Sequence, residues 1–181
     1  MGISGLPVRR PALRLVEGDL ELPLEWSWFC GHCAAPTPGG HAPAPHERVC
    51  NVCGLGVMLE TRADTAPCAR DAFLVIDSRL TVQAVSRRAE RFLEVPEEHA
   101  VNRAVTEFLV PADAEASVAG SFENAIIRAT AGEDTPLRVS IRPRNTFGVR
   151  LRARIAPCGP PRAALLVLDR GGIGLRLVPE H

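Results

Sequence analysis

The chain contains no lysine and no tyrosine, and aromatic residues make up only 4% of it. Without lysine there is no Schiff-base amine and no ammonium for a phosphate-binding loop; without tyrosine there is no phenolic general acid. No apolar run approaches the roughly 18 residues of a membrane span. The opening MGISGLPVRRPALRLVEGDLELP has no apolar core followed by a small-residue cleavage site, so it does not read as a secretory signal. A cytoplasmic protein in a reducing compartment is expected, where paired cysteines serve as metal ligands rather than disulfides. HExxH, GxSxG, GxxxxGK and GxGxxG motifs are absent, and the chain reads as non-enzymatic. Its formal net charge is zero, with 21 arginines against 21 acids, which argues against a uniformly basic nucleic-acid binder. A hydrophobic content of 46% suits a globular chain.

Five stretches follow from composition and periodicity. Residues 1–25 form an N-terminal segment without clear period, 26–62 a cysteine module, 63–70 a linker, 71–170 a regular domain and 171–181 a tail. The module centre, APTPGGHAPAP, cannot be helical. In the regular domain, Ala72–Asp77 is apolar on both faces, as in a central strand, and Thr81–Val85 continues as a second. Arg87–Leu93 and Val101–Val110 are helical candidates. The strongest helix is Ala112–Ala131, which follows Pro111 and ends at Gly132. The period then switches to two. Leu137, Val139 and Ile141 form one strand, Val149 to Ile155 the next, and AALLVL at 163–168 a buried last one.

The cysteine module carries the chemistry. Cys30-Gly31-His32-Cys33 and Cys50-Asn51-Val52-Cys53 are separated by 16 residues. Two CxxC turns present four soft sulfurs to one tetrahedral ion, so a single structural Zn2+ is expected on Cys30, Cys33, Cys50 and Cys53. Four thiolates leave no open position for a catalytic water. His32, His41 and His46 are then loop residues. A CGHC disulfide-exchange reading needs a βαβ context, and APTPGG follows instead. A segment this rich in Pro and Gly has no core of its own. The metal would supply most of its folding free energy, about 10–16 kcal/mol in small zinc modules.

Cys50-Asn51-Val52-Cys53-Gly54-Leu55, with Thr37-Pro38 upstream, resembles the CNxCGL signature of GATA-type zinc fingers. That resemblance covers about a fifth of the chain and implies a helix over Asn51–Thr61, together with DNA binding. The family's Leu-Trp-Arg-Arg is Gly39-Gly40-His41-Ala42 here, and its basic tail is MLETRADTA. DNA affinity rests on phosphate neutralisation by basic side chains, so the resemblance supports the metal fold more than DNA reading.

The regular domain is similar to a PAS domain. AFLVIDSRLTVQAVSRRAERFL, VTEFLVPADAEASVAGSFENAI and the three strands ending ALLVLD carry the resemblance over about 100 residues, a normal domain size. It implies an α+β fold: a PAS-like five-stranded antiparallel sheet with helices on one face, beside the small N-terminal four-cysteine zinc module. It also implies a cavity between helices and sheet that takes a ligand or is simply filled; the sequence names no ligand. Flavin-adduct chemistry needs a Cys on the helix at 101–110, and haem sensing an axial His on the long helix; neither is present, so neither cofactor is expected. His99 lies in an acidic turn, and Cys68 and Cys158 read as buried small hydrophobes.

Helices cover only one face of such a sheet, so the apolar outer face needs a cover. Phe73, Val75, Leu166 and Leu168 are the candidate outer residues, and a homodimer, the N-terminal segment or the zinc module are the candidate covers. Charge is also unevenly placed. Residues 94–134 hold nine acids and two arginines, whereas 135–168 hold seven arginines and no acid. Arg138, Arg142, Arg150, Arg152 and Arg154 alternate with core positions, which places a basic face on the last hairpin, fit for an anion or an acidic protein partner. The whole reads as a cytoplasmic regulatory protein in signal transduction or transcription regulation, a PAS-type sensor or docking domain coupled to a zinc finger. A DNA-binding transcription factor and a ligand-free interaction adaptor are the alternatives.

Overall fold

The computed structural model describes residues 25–112, 121–146 and 148–169. Eleven elements are described: β1 (Trp26–Cys30), β2 (Met58–Arg62), β3 (Phe73–Ile76), β4 (Val82–Val85), α1 (Arg87–Leu93), α2 (Glu97–Ala100), β5 (Leu109–Pro111), α3 (Phe122–Thr130), β6 (Leu137–Pro143), β7 (Leu151–Gly159) and β8 (Ala163–Leu168). All strands pair antiparallel in one sheet ordered β1-β2-β7-β8-β3-β4, with β6 beside β7 and β5 beside β6. Strands β4-β3-β8-β7-β6 are the expected PAS-like five. The hairpin β1–β2 extends this sheet through Glu60↔Gly159 and Thr61↔Cys158. Expected as a separate finger, the module is therefore continuous with the sheet of the regular domain.

Local chemistry sets the elements. Asp77 Oδ1 accepts from the Arg79 and Thr81 amides at 2.8 and 2.9 Å, closing the turn between β3 and β4. Ser86 caps α1 by accepting from the Ala89 amide, and its hydroxyl also accepts from the Phe73 amide at 2.9 Å. Ser121 caps α3 by accepting from the Asn124 amide. The expected helix Ala112–Ala131 is thus a helix over Phe122–Thr130; residues 113–120 lie outside the described residues. Val101–Val110 is not a helix. It forms a 3-10 turn over Val105–Glu107 and then enters β5, because Val110 and Pro111 pair with β6. No helix of the described residues is long and apolar enough to cross a membrane.

The sheet buries both faces. Leu74, Ile76, Leu166, Leu168 and Ile155 pack against Phe122, Ile126 and Leu109 on the helix side. On the outer side, Phe73, Val75, Leu165, Val167 and Ala163 pack against Phe29, Leu59 and Ala34 of the cysteine module. The expected outer set is therefore divided. The register Phe73↔Val167 and Val75↔Leu165 puts Leu166 and Leu168 on the helix side. Phe73 and Val75 do point outward, but Phe29 stacks edge-on to Phe73 at 5.8 Å and 80°, so the module covers the surface expected for a second copy.

Candidate metal centre

Cys30 ends β1, and the chain turns through Gly31 and His32 to Cys33. The Ala34 amide donates to the Cys30 carbonyl at 3.0 Å, with Ala34 left-handed at φ 61°. The second turn is built the same way. The Gly54 amide donates to the Cys50 carbonyl at 2.8 Å, and Gly54 supplies φ 69°. The Cys50 amide on the Gly56 carbonyl (2.8 Å) closes the second turn, and the Gly31 amide on the Val57 carbonyl (2.9 Å) ties the first turn to the chain that leaves the second. Cys30 pairs with Met58 across the hairpin, so residues 58–62 are extended. The helix expected over Asn51–Thr61 does not form, and the GATA-type architecture is not what holds the cysteines.

The four sulfurs converge. Cys30 Sγ lies 3.7 Å from Cys53 Sγ, and Cys33 Sγ lies 3.8 Å from Cys50 Sγ. All four lie within 4.8 Å of one another. A tetrahedral ion with metal–sulfur bonds of about 2.3 Å spaces its sulfurs by about 3.8 Å, so the donor set fits such an ion. The amides of His32 and Cys33 donate to Cys30 Sγ, and that of Gly56 to Cys53 Sγ, each at 3.4 Å. Donors aimed at sulfur favour the thiolate that a metal needs. Burial pushes the Cys30 and Cys33 thiols up. Burial opposes ionisation of Cys53 too, but the Gly56 and Leu55 amides together with the Cys30 and Cys33 thiols outweigh it and hold that thiol down at about 6. A Cβ on Gly56 would sit 2.3 Å from Cys30 Sγ, so only glycine closes the cradle.

His32 is the functional residue that sequence reasoning missed. Expected in a loop, it is 6% exposed. Its Nε2 accepts from Arg87 Nε at 3.1 Å, and its Nδ1 lies 3.0 Å from Glu97 Oε2. A guanidinium only donates, so Nε2 is the accepting ring nitrogen, and the buried Nδ1 meets the carboxylate in close contact without a formed hydrogen bond. Glu97 Oε1 in turn accepts from the Val85 amide at 3.0 Å, and the Arg87 amide donates to the His32 carbonyl at 3.2 Å. A residue between two metal-site cysteines thus touches both short helices of the regular domain. The available signal was the His inside the first CxxC. His41, His46 and His99 are exposed, as loop or surface residues should be.

The remaining candidates fall as follows. Cys158 is buried, which pushes its thiol up to about 12 and makes it inert, whereas Cys68 is exposed rather than buried. Arg138 stands directly opposite Arg154, and Arg152 opposite Ser140, on the outer face beyond the module. Arg154 Nε lies 3.4 Å from Asp169 Oδ1, while Arg142 donates back to the carbonyls of Arg144 and Thr146 in its own turn. Arg150 is exposed just before β7. On the helix side, a cavity of about 320 Å3 lies between Phe92, Leu93, Val95 and Phe108 and the β6–β7 turn. A larger one, about 500 Å3, lies in the seam between the cysteine module and the outer sheet face.

No protein-family model matches the chain, and no curated protein matches it. Similar solved structures include the PAS domain of nitrogen regulation protein NR(II) from Vibrio parahaemolyticus, at 13% identity and TM-score 0.41, covering 55% of this chain and 87% of that one. A PAS domain from Colwellia psychrerythraea is similar at 16% identity and TM-score 0.42, covering 55% of this chain and 84% of the other. The Escherichia coli DhaR(N)–DhaL complex is similar at 19% identity and TM-score 0.38, covering 55% of this chain and 31% of that one. The fold is α+β, a PAS-like antiparallel sheet with few helices, and a four-cysteine cluster able to hold a metal ion lies in its N-terminal part.

Proposed function

We propose that this is a non-catalytic regulatory protein, a PAS-type sensor or docking domain whose state is read through a zinc-bearing module seated on its outer sheet face. The observation that supports this reading most directly is the contact of His32, lying between Cys30 and Cys33, with Arg87 of α1 and Glu97 of α2. One zinc on the four cysteines fixes the first turn, and the turn fixes His32. A ligand or protein partner that prefers one arrangement of the helices then shifts the population of arrangements of the module, and the reverse.

Zinc titration of the full chain, followed by amide NMR, tests this. Saturation at one equivalent is expected, with shifts in residues 30–59 and also across Arg87–Ala100. Shifts confined to the cysteine module would overturn the coupling, and saturation at any other stoichiometry would overturn the single site.

A further inference from the structure

A cavity of about 500 Å3 in the seam between the cysteine module and the sheet borders the contact of His32 with Glu97. It is walled by Val57 and Leu59 from the module, Val75, Ala84 and Ala163 from the sheet, and Pro161 from the β7–β8 turn. Its polar groups are His32, Asp77, Gln83, Glu97 and Arg162. A volume of about 500 Å3 lies within the range of small-molecule sites, which combine an apolar wall with a few placed polar groups. On the helix side of the sheet Leu74, Ile76, Leu166 and Phe122 are buried in the core.

The two carboxylates give the site its character. Four other carboxylates pair with arginine: Asp64 with Arg62, Glu107 with Arg103, Glu133 with Arg128 and Asp169 with Arg154. Asp77 and Glu97 have no arginine partner among the described residues. Asp77 Oδ2 accepts from Gln83 Nε2 at 3.0 Å, and Glu97 Oε2 faces His32 Nδ1. A carboxylate oxygen has two lone pairs, so each keeps one acceptor position open. Both are partly shielded from water, where an incoming cation gains more than it would in bulk. Arg162, which also lines the cavity, is exposed to solvent, which screens its charge.

We infer that the seam cavity binds small apolar molecules bearing a cationic amine, the apolar body against Val57, Val75 and Ala84 and the ammonium toward Asp77 and Glu97. Such a ligand would touch the module and the sheet at once. The inference deepens the regulatory reading by placing its input, and rests on it; binding is read directly, so a failure of zinc coupling remains distinguishable from a failure of this site.

The test is amide NMR on the full chain, titrated with hexylamine, hexanol and hexanoate. Hexylamine should give saturable shifts at Val57, Val75, Gln83 and Ala84, binding at least tenfold more tightly than hexanol, with hexanoate weaker still. Glu97→Gln, which keeps the shape, should cut the preference for the amine about fivefold or more, and Ala84→Phe should fill the cavity and abolish binding of all three. Absence of saturable shifts, shifts centred on other residues, or equal binding of hexanoate and hexylamine would overturn the inference. So would an unchanged amine preference in E97Q, which decides the matter even if A84F does not fold.

Discussion

Gly56→Ala isolates the metal cradle. Gly56 is not in the left-handed backbone region, so the substitution acts through space alone. The new methyl group would stand 2.3 Å from Cys30 Sγ, 2.8 Å from His32 Cβ and 3.0 Å from the His32 amide nitrogen. Ordinary non-bonded contact begins near about 3.5 Å, so the sulfur must retreat by roughly 1.2 Å. Metal sites tolerate departures of only about 0.2 Å in bond length. Overpacking of this kind costs about 1–3 kcal/mol, which corresponds to about five- to 150-fold in metal affinity. Competition with a colorimetric chelator measures it. Gly40→Ala is the control: its φ is +71° but nothing lies within 4 Å of the added Cβ, so a loop strain of about 1–2 kcal/mol is expected with unchanged metal affinity. Wild-type metal affinity in G56A would refute the convergence of the two turns on one ion.

Other consequences are open to measurement. Phe29→Ala removes the ring that meets Phe73, and such core truncations cost about 3–5 kcal/mol; denaturant unfolding should show a loss of that order, with dye binding to the uncovered outer face. Metal affinity should fall as pH falls, because protons on Cys30 and Cys33, held up by burial, compete with the ion. The fall should steepen below about pH 6, where Cys53 also takes a proton, and chelator competition across the acid-to-neutral range reads it. A pH-independent affinity would exclude thiolate ligation.

The parts of this fold legible in the sequence are those set by local chemistry. The two CxxC spacings named the four cysteines whose sulfurs converge, and α1 and β8 fall on the expected Arg87–Leu93 and 163–168. What stayed hidden depends on pairing partners distant in the chain. Alternation divides Leu166 from Leu165, but only the register with β3 says which of them meets the helices. The CNxCGL resemblance implied a helix over Asn51–Thr61, yet pairing with β1 extends the chain from Met58 onward. Val110 and Pro111 are drawn into β5 by β6, a strand remote in sequence. His32 sits in a Pro/Gly-rich module, and nothing local announces that Arg87 and Glu97 enclose it. The arginine pattern showed which residues share a face on β6 and β7, but not that Arg142 would turn back to its own turn carbonyls.

The central claim is that a metal-held four-cysteine module is docked on the outer face of a PAS-like sheet and depends on its ion. Hydrogen exchange of the full chain with and without chelator tests it most directly. The expected result is that metal removal accelerates exchange throughout β1 and β2, whose two CxxC turns the ion clamps together, while the amides of β3 and β8 stay protected between their neighbours. Equal protection of β1 and β2 in the metal-bound and chelated protein would contradict it.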